Sequence, residues 1–257
     1  MVQRNTLKIE HKKNYAIIQI DNGKVNAINT EFAKELGEAF KELEEAENTK
    51  GIILTGRPNC FSAGLDVTSL ATGGTEGLRN FWTYYLGTLQ RIIRCPKPVV
   101  GAITGYAQAG ATVLALCTDY RIMGKGEKHK MGMNEFNMSL QIPEMMGDIF
   151  AYYVGEQRAW AAVQKAELFN SDQSLEIGLV NESVEVEEVL PRAEKHLKKM
   201  INIHPPVYKN SKTYFRKGLL KITNRDIKEM LIPIQENAND PMTQNMIKMF
   251  MATLQSK

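Results

Sequence analysis

Two short stretches carry the residue types from which an anion-stabilising site can be built. They are Phe61-Ser62-Ala63-Gly64-Leu65-Asp66 and Gly105-Tyr106-Ala107-Gln108-Ala109-Gly110-Ala111. Small residues let the backbone approach a ligand closely. A helix start leaves amide N–H groups unpaired at the positive end of its dipole. Two such turns could aim two N–H groups at one developing negative oxygen, the arrangement of an oxyanion hole. Taken singly, either turn reads as a tight connection. The pair, in this order and at this distance, reads as a site.

Other chemistries fit less well. The second turn has the glycine spacing of a phosphate loop, but Ala111 and Thr112 follow where Lys and Ser/Thr are needed. No GxGxxG fingerprint is present. Ser62 has no evident His/Asp partnership, so a serine hydrolase is a weak reading. His11, His129, His196 and His204 show no metal-ligand spacing. Cys60, Cys95 and Cys117 are odd in number and widely spaced, as expected of reduced thiols in the cytoplasm.

The elements that must hold these turns read as alternating strands and helices. Tyr15 to Ile20 and Gly51 to Thr55 are apolar strands. Between them a helix from Thr30 to Glu45 repeats Phe32, Leu36, Phe40 and Leu43 on one stripe. A second helix runs from Glu76 to Arg94 and stops at Cys95-Pro96, because proline cannot continue the ladder. Val99 to Ile103 is a buried strand, Gly105 to Gly110 a turn, Ala111 to Leu116 a short helix, and Asp119 to Met123 a further strand. This alternation implies an α/β fold. The character changes near Pro191. Residues 1–190 are expected to form the α/β core, and residues 191–257, rich in Lys and Met, a helical oligomerisation region.

The net charge of +3 gives nucleic acid no support. The basic run Lys195, His196, Lys198, Lys199 reads as a solvated helix face. There is no apolar run of about twenty residues, so no membrane span is expected. The N-terminus lacks an apolar signal core. The C-terminal tripeptide is not Ser-Lys-Leu.

Asn26-Ala27-Ile28-Asn29, Phe61–Asp66 and Lys97–Ile122 together resemble the signature of the enoyl-CoA hydratase/isomerase (crotonase) family. Ala166–Phe169 and Leu175–Val180 resemble its later segments, so that the similarity spans about residues 10 to 190. The resemblance implies a crotonase-like spiral of ββα units with a C-terminal trimerisation region, a homotrimer or hexamer. The implied substrate is an acyl-CoA thioester, with coenzyme A part of the substrate and no separate cofactor or metal. It further implies that the thioester oxygen meets the amides of Leu65 and Gly110. Backbone around Asn26, Ala27, Ala63, Gly64, Leu65 and Asp66 would hold the adenine and pantetheine, with Lys24 and Arg57 as weaker phosphate contacts.

Hydratases of the family use two glutamates, the first three residues after the oxyanion glycine. That position is Val113 here, which disfavours hydration. The second corresponds to Glu135 in Met131-Gly132-Met133-Asn134-Glu135. These surroundings look most like Δ3,Δ2-enoyl-CoA isomerases of the mitochondrial type, which keep only this acid and act in fatty acid oxidation. Met131, Met133 and Phe136 are expected to desolvate Glu135 and raise its pKa. Asn134 is expected among the substrate-binding residues. Glu144 stands close to where dienoyl-CoA isomerases carry a second acid, although beside Pro143 it also reads as a helix-start charge. A non-catalytic homologue binding CoA esters or RNA is the remaining alternative. The wall of the acyl pocket is expected from the Phe81–Leu89 helix and from residues 141–150.

Overall fold

The computed structural model describes residues 3–255. The chain opens with the hairpin β1 (Leu7–His11) and β2 (Ala16–Ile20), followed by α1 (Thr30–Glu45). The Asn29 side chain accepts from the Phe32 N–H at 2.9 Å and so starts α1. Three units then follow, each a strand of one sheet, a strand of a second sheet, and helix. The first is β3 (Ile52–Thr55), β4 (Asn59–Ser62), α2 (Val67–Thr72) and α3 (Gly74–Arg94). The second is β5 (Val99–Ile103), β6 (Gly105–Gln108) and α4 (Gly110–Leu116). The third is β7 (Tyr120–Gly124), β8 (Lys130–Gly132), a 3₁₀ turn Glu135–Met138, then α5 (Glu144–Val154) and α6 (Glu156–Gln164). The chain goes on through β9 (Phe169–Asn170), α7 (Ser171–Glu176) and β10 (Glu182–Val184). It closes with α8 (Val186–Met200), α9 (Pro205–Phe215), α10 (Lys217–Ile222), α11 (Ile227–Asn239) and α12 (Pro241–Gln255). This is the expected α/β, crotonase-like spiral of ββα units.

The larger sheet has the order β1-β2-β3-β5-β7-β10, parallel except for the first pair. The smaller has the order β4-β6-β8-β9, with β4, β6 and β8 parallel. Central strands of the larger sheet are apolar without alternation because both faces are covered. One face packs Ile18, Ile52, Leu54 and Val99 into the main core with α1 and α3. The other packs Ile17, Ile53, Val100 and Ile122 under Val189, Ala193 and Leu197 of α8.

Two expectations are corrected. Gly105–Gln108, read as part of a turn, is a strand, and its neighbours β4 and β8 supply the pairing that a four-residue segment with glycine does not advertise. The boundary at residue 190 falls inside α8, beside Pro191. The apolar stripe of α8 belongs to the sheet, so the core extends through it. The later helices are pinned to the core as well. Asp119 accepts from Lys212 at 2.7 Å and from Tyr208 at 3.2 Å, and it pairs with Arg216. Among the described residues no helix is long and apolar enough to cross a membrane.

Candidate active site

The two glycine turns lie against each other. A Cβ on Gly64, which has φ +92°, would meet the Gln108 carbonyl oxygen at 2.6 Å and the Ala109 Cβ at 3.1 Å. One on Gly110 would meet Leu65 Cδ2 at 2.7 Å. Only glycine permits this approach. Gly110 is the first residue of α4, so its N–H has no partner within the helix. Leu65 sits where β4 has ended. Its neighbours are engaged, with the Asp66 N–H on the Ile28 carbonyl at 2.9 Å and the Ile28 N–H on the Gly64 carbonyl at 2.8 Å. Among the described residues neither the Leu65 nor the Gly110 N–H has a hydrogen-bond acceptor.

The second turn is braced from two sides. The Tyr85 hydroxyl, buried in α3, donates to the Gly110 carbonyl at 2.6 Å. The Thr112 hydroxyl donates to the Ala107 carbonyl at 2.6 Å and accepts from the Gly132 N–H at 2.7 Å. Ala109 between them has φ 51° and ψ −124°, a conformation that disfavours a side chain.

Glu135 follows β8 and is 1% exposed. Both of its carboxylate oxygens are buried without a hydrogen-bond partner. Burial alone pushes its pKa up to about 7. It lines a cavity of about 260 Å³ together with Leu65, Leu78, Trp82, Met146 and Ile234. Among the described residues no other lining residue is ionisable. Leu65 lines the same cavity, whereas Gly110 is not among its lining residues and reaches it only through its packing on Leu65. A buried carboxyl near neutral pH is suited to moving a proton, and unpaired amides to carrying negative charge.

The family model for enoyl-CoA hydratase/isomerase matches residues 10–255. The chain belongs to the enoyl-CoA hydratase/isomerase family. It is 27% identical to mouse enoyl-CoA delta isomerase 1, mitochondrial, with 99% of this chain and 89% of the relative covered. It is also 27% identical to a short-chain-enoyl-CoA hydratase of Clostridium acetobutylicum, covering 85% and 84%. The crystal structure of human mitochondrial Δ3-Δ2-enoyl-CoA isomerase superposes with a TM-score of 0.93 at 25% identity, covering 98% of this chain and 99% of that one. An enoyl-CoA hydratase from Bacillus halodurans shares the fold, with a TM-score of 0.87 at 20% identity. The family acts on acyl-CoA substrates.

Within that family framework the expected residues fall into three groups. Leu65 and Glu135 line one cavity and Gly110 packs against Leu65, the three standing on the segments that follow β4, β8 and β6. Asn26, Ala27, Ala63, Gly64 and Asp66 form the adjoining loop, but several of their polar groups are already engaged. The Asn26 side chain is fully buried at φ 51° and donates to the carbonyls of Ile20 and Phe61, so it shapes the loop from inside. The Ala63 N–H is on the Val25 carbonyl at 3.0 Å, and the Asp66 carboxylate caps α2 through Ser69. Arg57 braces the same loop through the Gly23 and Lys24 carbonyls. Asn134 is half-buried beside Glu135 with its Oδ1 enclosed, and it is not among the cavity's lining residues.

The third group lies away from the cavity. Glu144 begins α5 in the open. Its side chain is 71% exposed and faces Arg225 at 3.5 Å. It lines a separate groove with Phe136 and Trp160. Phe136 is itself 43% exposed and meets Trp160 edge-on, so it does not enclose the acid, while Met131 and Met133 are buried in the core. In a 3₁₀ turn adjacent side chains diverge, which turns Phe136 out as Glu135 turns in.

The sequence reading missed Tyr85, Thr112 and the C-terminal contribution to the site. Ile234, Asn237, Ala238, Thr243 and Gln244 of α11 and α12 close one side of the cavity. A hydroxyl within an otherwise apolar stretch was the available signal for Thr112. The spacing of residues carries no signal for the C-terminal closure. Among the described residues no cluster of His, Cys, Asp or Glu could hold a metal ion. All three cysteines are buried and unpaired.

Proposed function

We propose that the protein shifts the double bond of a 3-enoyl-CoA to the 2-position. Glu135, as carboxylate, removes a proton from C2. The electron pair of that C–H bond moves onto the thioester oxygen, which the Leu65 and Gly110 N–H groups hold as an enolate. The enolate collapses with C2–C3 becoming double, and the C3–C4 electrons take the proton back from Glu135 at C4. One acid serves both carbons when they lie on the same face of the substrate.

The observation that carries this reading is that Glu135 is the sole ionisable group lining the cavity among the described residues. Hydration needs a second carboxylate to split water, and Val113 is a fully buried apolar side chain. The dienoyl reading needs Glu144, which faces Arg225 in the open. A bare CoA-ester binder gives no reason to bury an unpaired carboxylate, which is unfavourable. The relatives named as isomerases support the same assignment.

A homotrimer is the proposed assembly. It is supported by α9, which presents Val207, Tyr214 and Phe215 on its outer side, the last 77% exposed. The proposed compartment is the cytoplasm, in keeping with three unpaired thiols; the mouse relative is named as mitochondrial.

The test is Glu135→Gln. Isomerisation of 3-enoyl-CoA, followed as 2-enoyl product, should fall by about 10²–10⁴, while a saturated acyl-CoA binds as before. Solvent deuterium should enter C2 of a bound acyl-CoA in the native protein and not in the variant. Full turnover by Glu135→Gln defeats the assignment.

A further inference from the structure

The cavity's walls say what acyl chain it takes. Its open side carries Gly74, Thr75, Gln141 and Gln244, all exposed. Away from Glu135 and Thr243 its buried lining is mostly apolar. Trp82, Met146 and Ile234 belong to it and are 5%, 0% and 6% exposed, and Leu70 and Leu78 are half-buried. Among the described residues no lysine, arginine or histidine lines the cavity, so they offer no counter-charge to an acyl group ending in a second carboxylate.

The wall that Trp82 contributes is braced from behind. Trp82 meets Phe81 edge-on at 5.0 Å and lies 6.1 Å from Tyr85, both fully buried. Tyr85 in turn holds the Gly110 carbonyl. A close-packed aromatic cluster does not yield to an extra methylene without strain. Moving Trp82 to admit a longer chain would therefore disturb the support of the Gly110 turn.

Size sets the length. An apolar cavity of about 150 Å³ accommodates the six carbons of benzene. At the same density the cavity of about 260 Å³ holds about ten carbons, including those that react beside Glu135. We infer that the protein is selective for monocarboxylic acyl-CoA thioesters of medium chain, with a limit near ten carbons set by the cavity's volume and its Trp82 wall. This rests on the isomerase reading only for its kinetic readout, since the fit of the chain is a property of the cavity.

The experiment uses the full chain and two parallel series. 3-Enoyl-CoA substrates of six to sixteen carbons give kcat/KM. Saturated acyl-CoAs of the same lengths give affinity by calorimetry. Both should rise with each added pair of methylenes up to about ten carbons, by about tenfold per pair for full burial. Both should then fall by about tenfold by fourteen. Trp82→Leu should move the maximum to about twelve or fourteen carbons. Should that variant not fold, Leu78→Phe, which narrows the cavity, should move it to about six or eight.

A maximum near ten that shifts with either variant supports the inference. A profile that is flat, or that climbs through sixteen carbons in the native protein, overturns it. So does a maximum that ignores both variants. Absence of turnover at every length with affinity still peaking near ten sinks the isomerase reading and leaves the chain-length limit standing.

Discussion

Glu135 gives a prediction that reads its burial without any substrate. In the folded protein its pKa stands at about 7, against 4.5 for an ordinary glutamate. Between those values the folded chain keeps a proton that the unfolded chain has released. Folding stability must then fall as pH rises, by about 1.4 kcal/mol per unit through that window. The contribution is complete below about 4.5 and lost above about 7. Integrated from about pH 5 to about pH 8, the loss is about 2.5 kcal/mol. Glu135→Gln keeps the shape and abolishes the titration. Its buried amide has its own desolvation penalty, but that penalty does not change with pH. Urea unfolding of both proteins across this range should therefore show the variant gaining about 2.5 kcal/mol on the native protein, equivalent to roughly 5–10 °C in melting temperature. A stability difference that stays constant from pH 5 to pH 8 would refute the claim that burial holds this carboxyl near neutrality.

Other consequences are independent of that one. As Glu135 must be ionised to accept the C2 proton, kcat/KM should fall about tenfold per unit below about pH 7 and level off above it. Gly110→Ala places a methyl 2.7 Å from Leu65 Cδ2 and 3.1 Å from the Tyr85 hydroxyl, so turnover should fall about hundredfold with circular dichroism unchanged. Ala109→Gly removes a side chain from φ 51° and should raise stability by about 1 kcal/mol, seen as a higher melting temperature. Thr112→Val removes the hydroxyl between Ala107 and Gly132 and should lower kcat with little change in KM, while Thr112→Ser, which keeps the hydroxyl, should recover most of it.

The long elements were readable because their burial is periodic. Thr30–Glu45 is the helix that its stripe of Phe32, Leu36, Phe40 and Leu43 describes, and all four side chains are buried. The strands β8, β9 and β10 have three, two and three residues, too few for any period to register, and they exist because a neighbour completes their hydrogen bonds. In the site, the two glycine turns were legible since glycine marks close approach, and Gly64 and Gly110 are both where a Cβ would collide. Glu135 was legible only through the resemblance. One glutamate among the chain's acidic residues looks solvated until the fold encloses it. Asn26 was named for its backbone through the same resemblance, and the duty of its side chain, an inward amide tying the loop to the Ile20 and Phe61 carbonyls, became visible only in the fold.

The three groups of the site share one structural origin. Leu65 lies three residues beyond the end of β4, Gly110 two beyond β6, and Glu135 three beyond β8. These are adjacent parallel strands of the smaller sheet. The amides and the acid are thus presented from the carboxyl ends of neighbouring strands, where parallel sheets collect their ligand sites. Their relative position is a matter of register. Gln108 pairs with Gly132, and the Ala109 N–H meets the Gly132 carbonyl at 2.8 Å. The register of β4 on β6 shifts between Cys60 and Ser62, where the chain turns toward Gly64. A one-residue slip would carry Leu65 past Gly110 and set the two amides on different points, and the larger sheet with its two covered faces is what holds the small one against that slip. The same placement explains why one acid suffices. Under the proposed isomerisation Glu135 would act from the end of β8, the strand beside the one that leads to Gly110. The next turn of α4 brings Val113, an apolar side chain closed off in the core, so water has no second base to divide it.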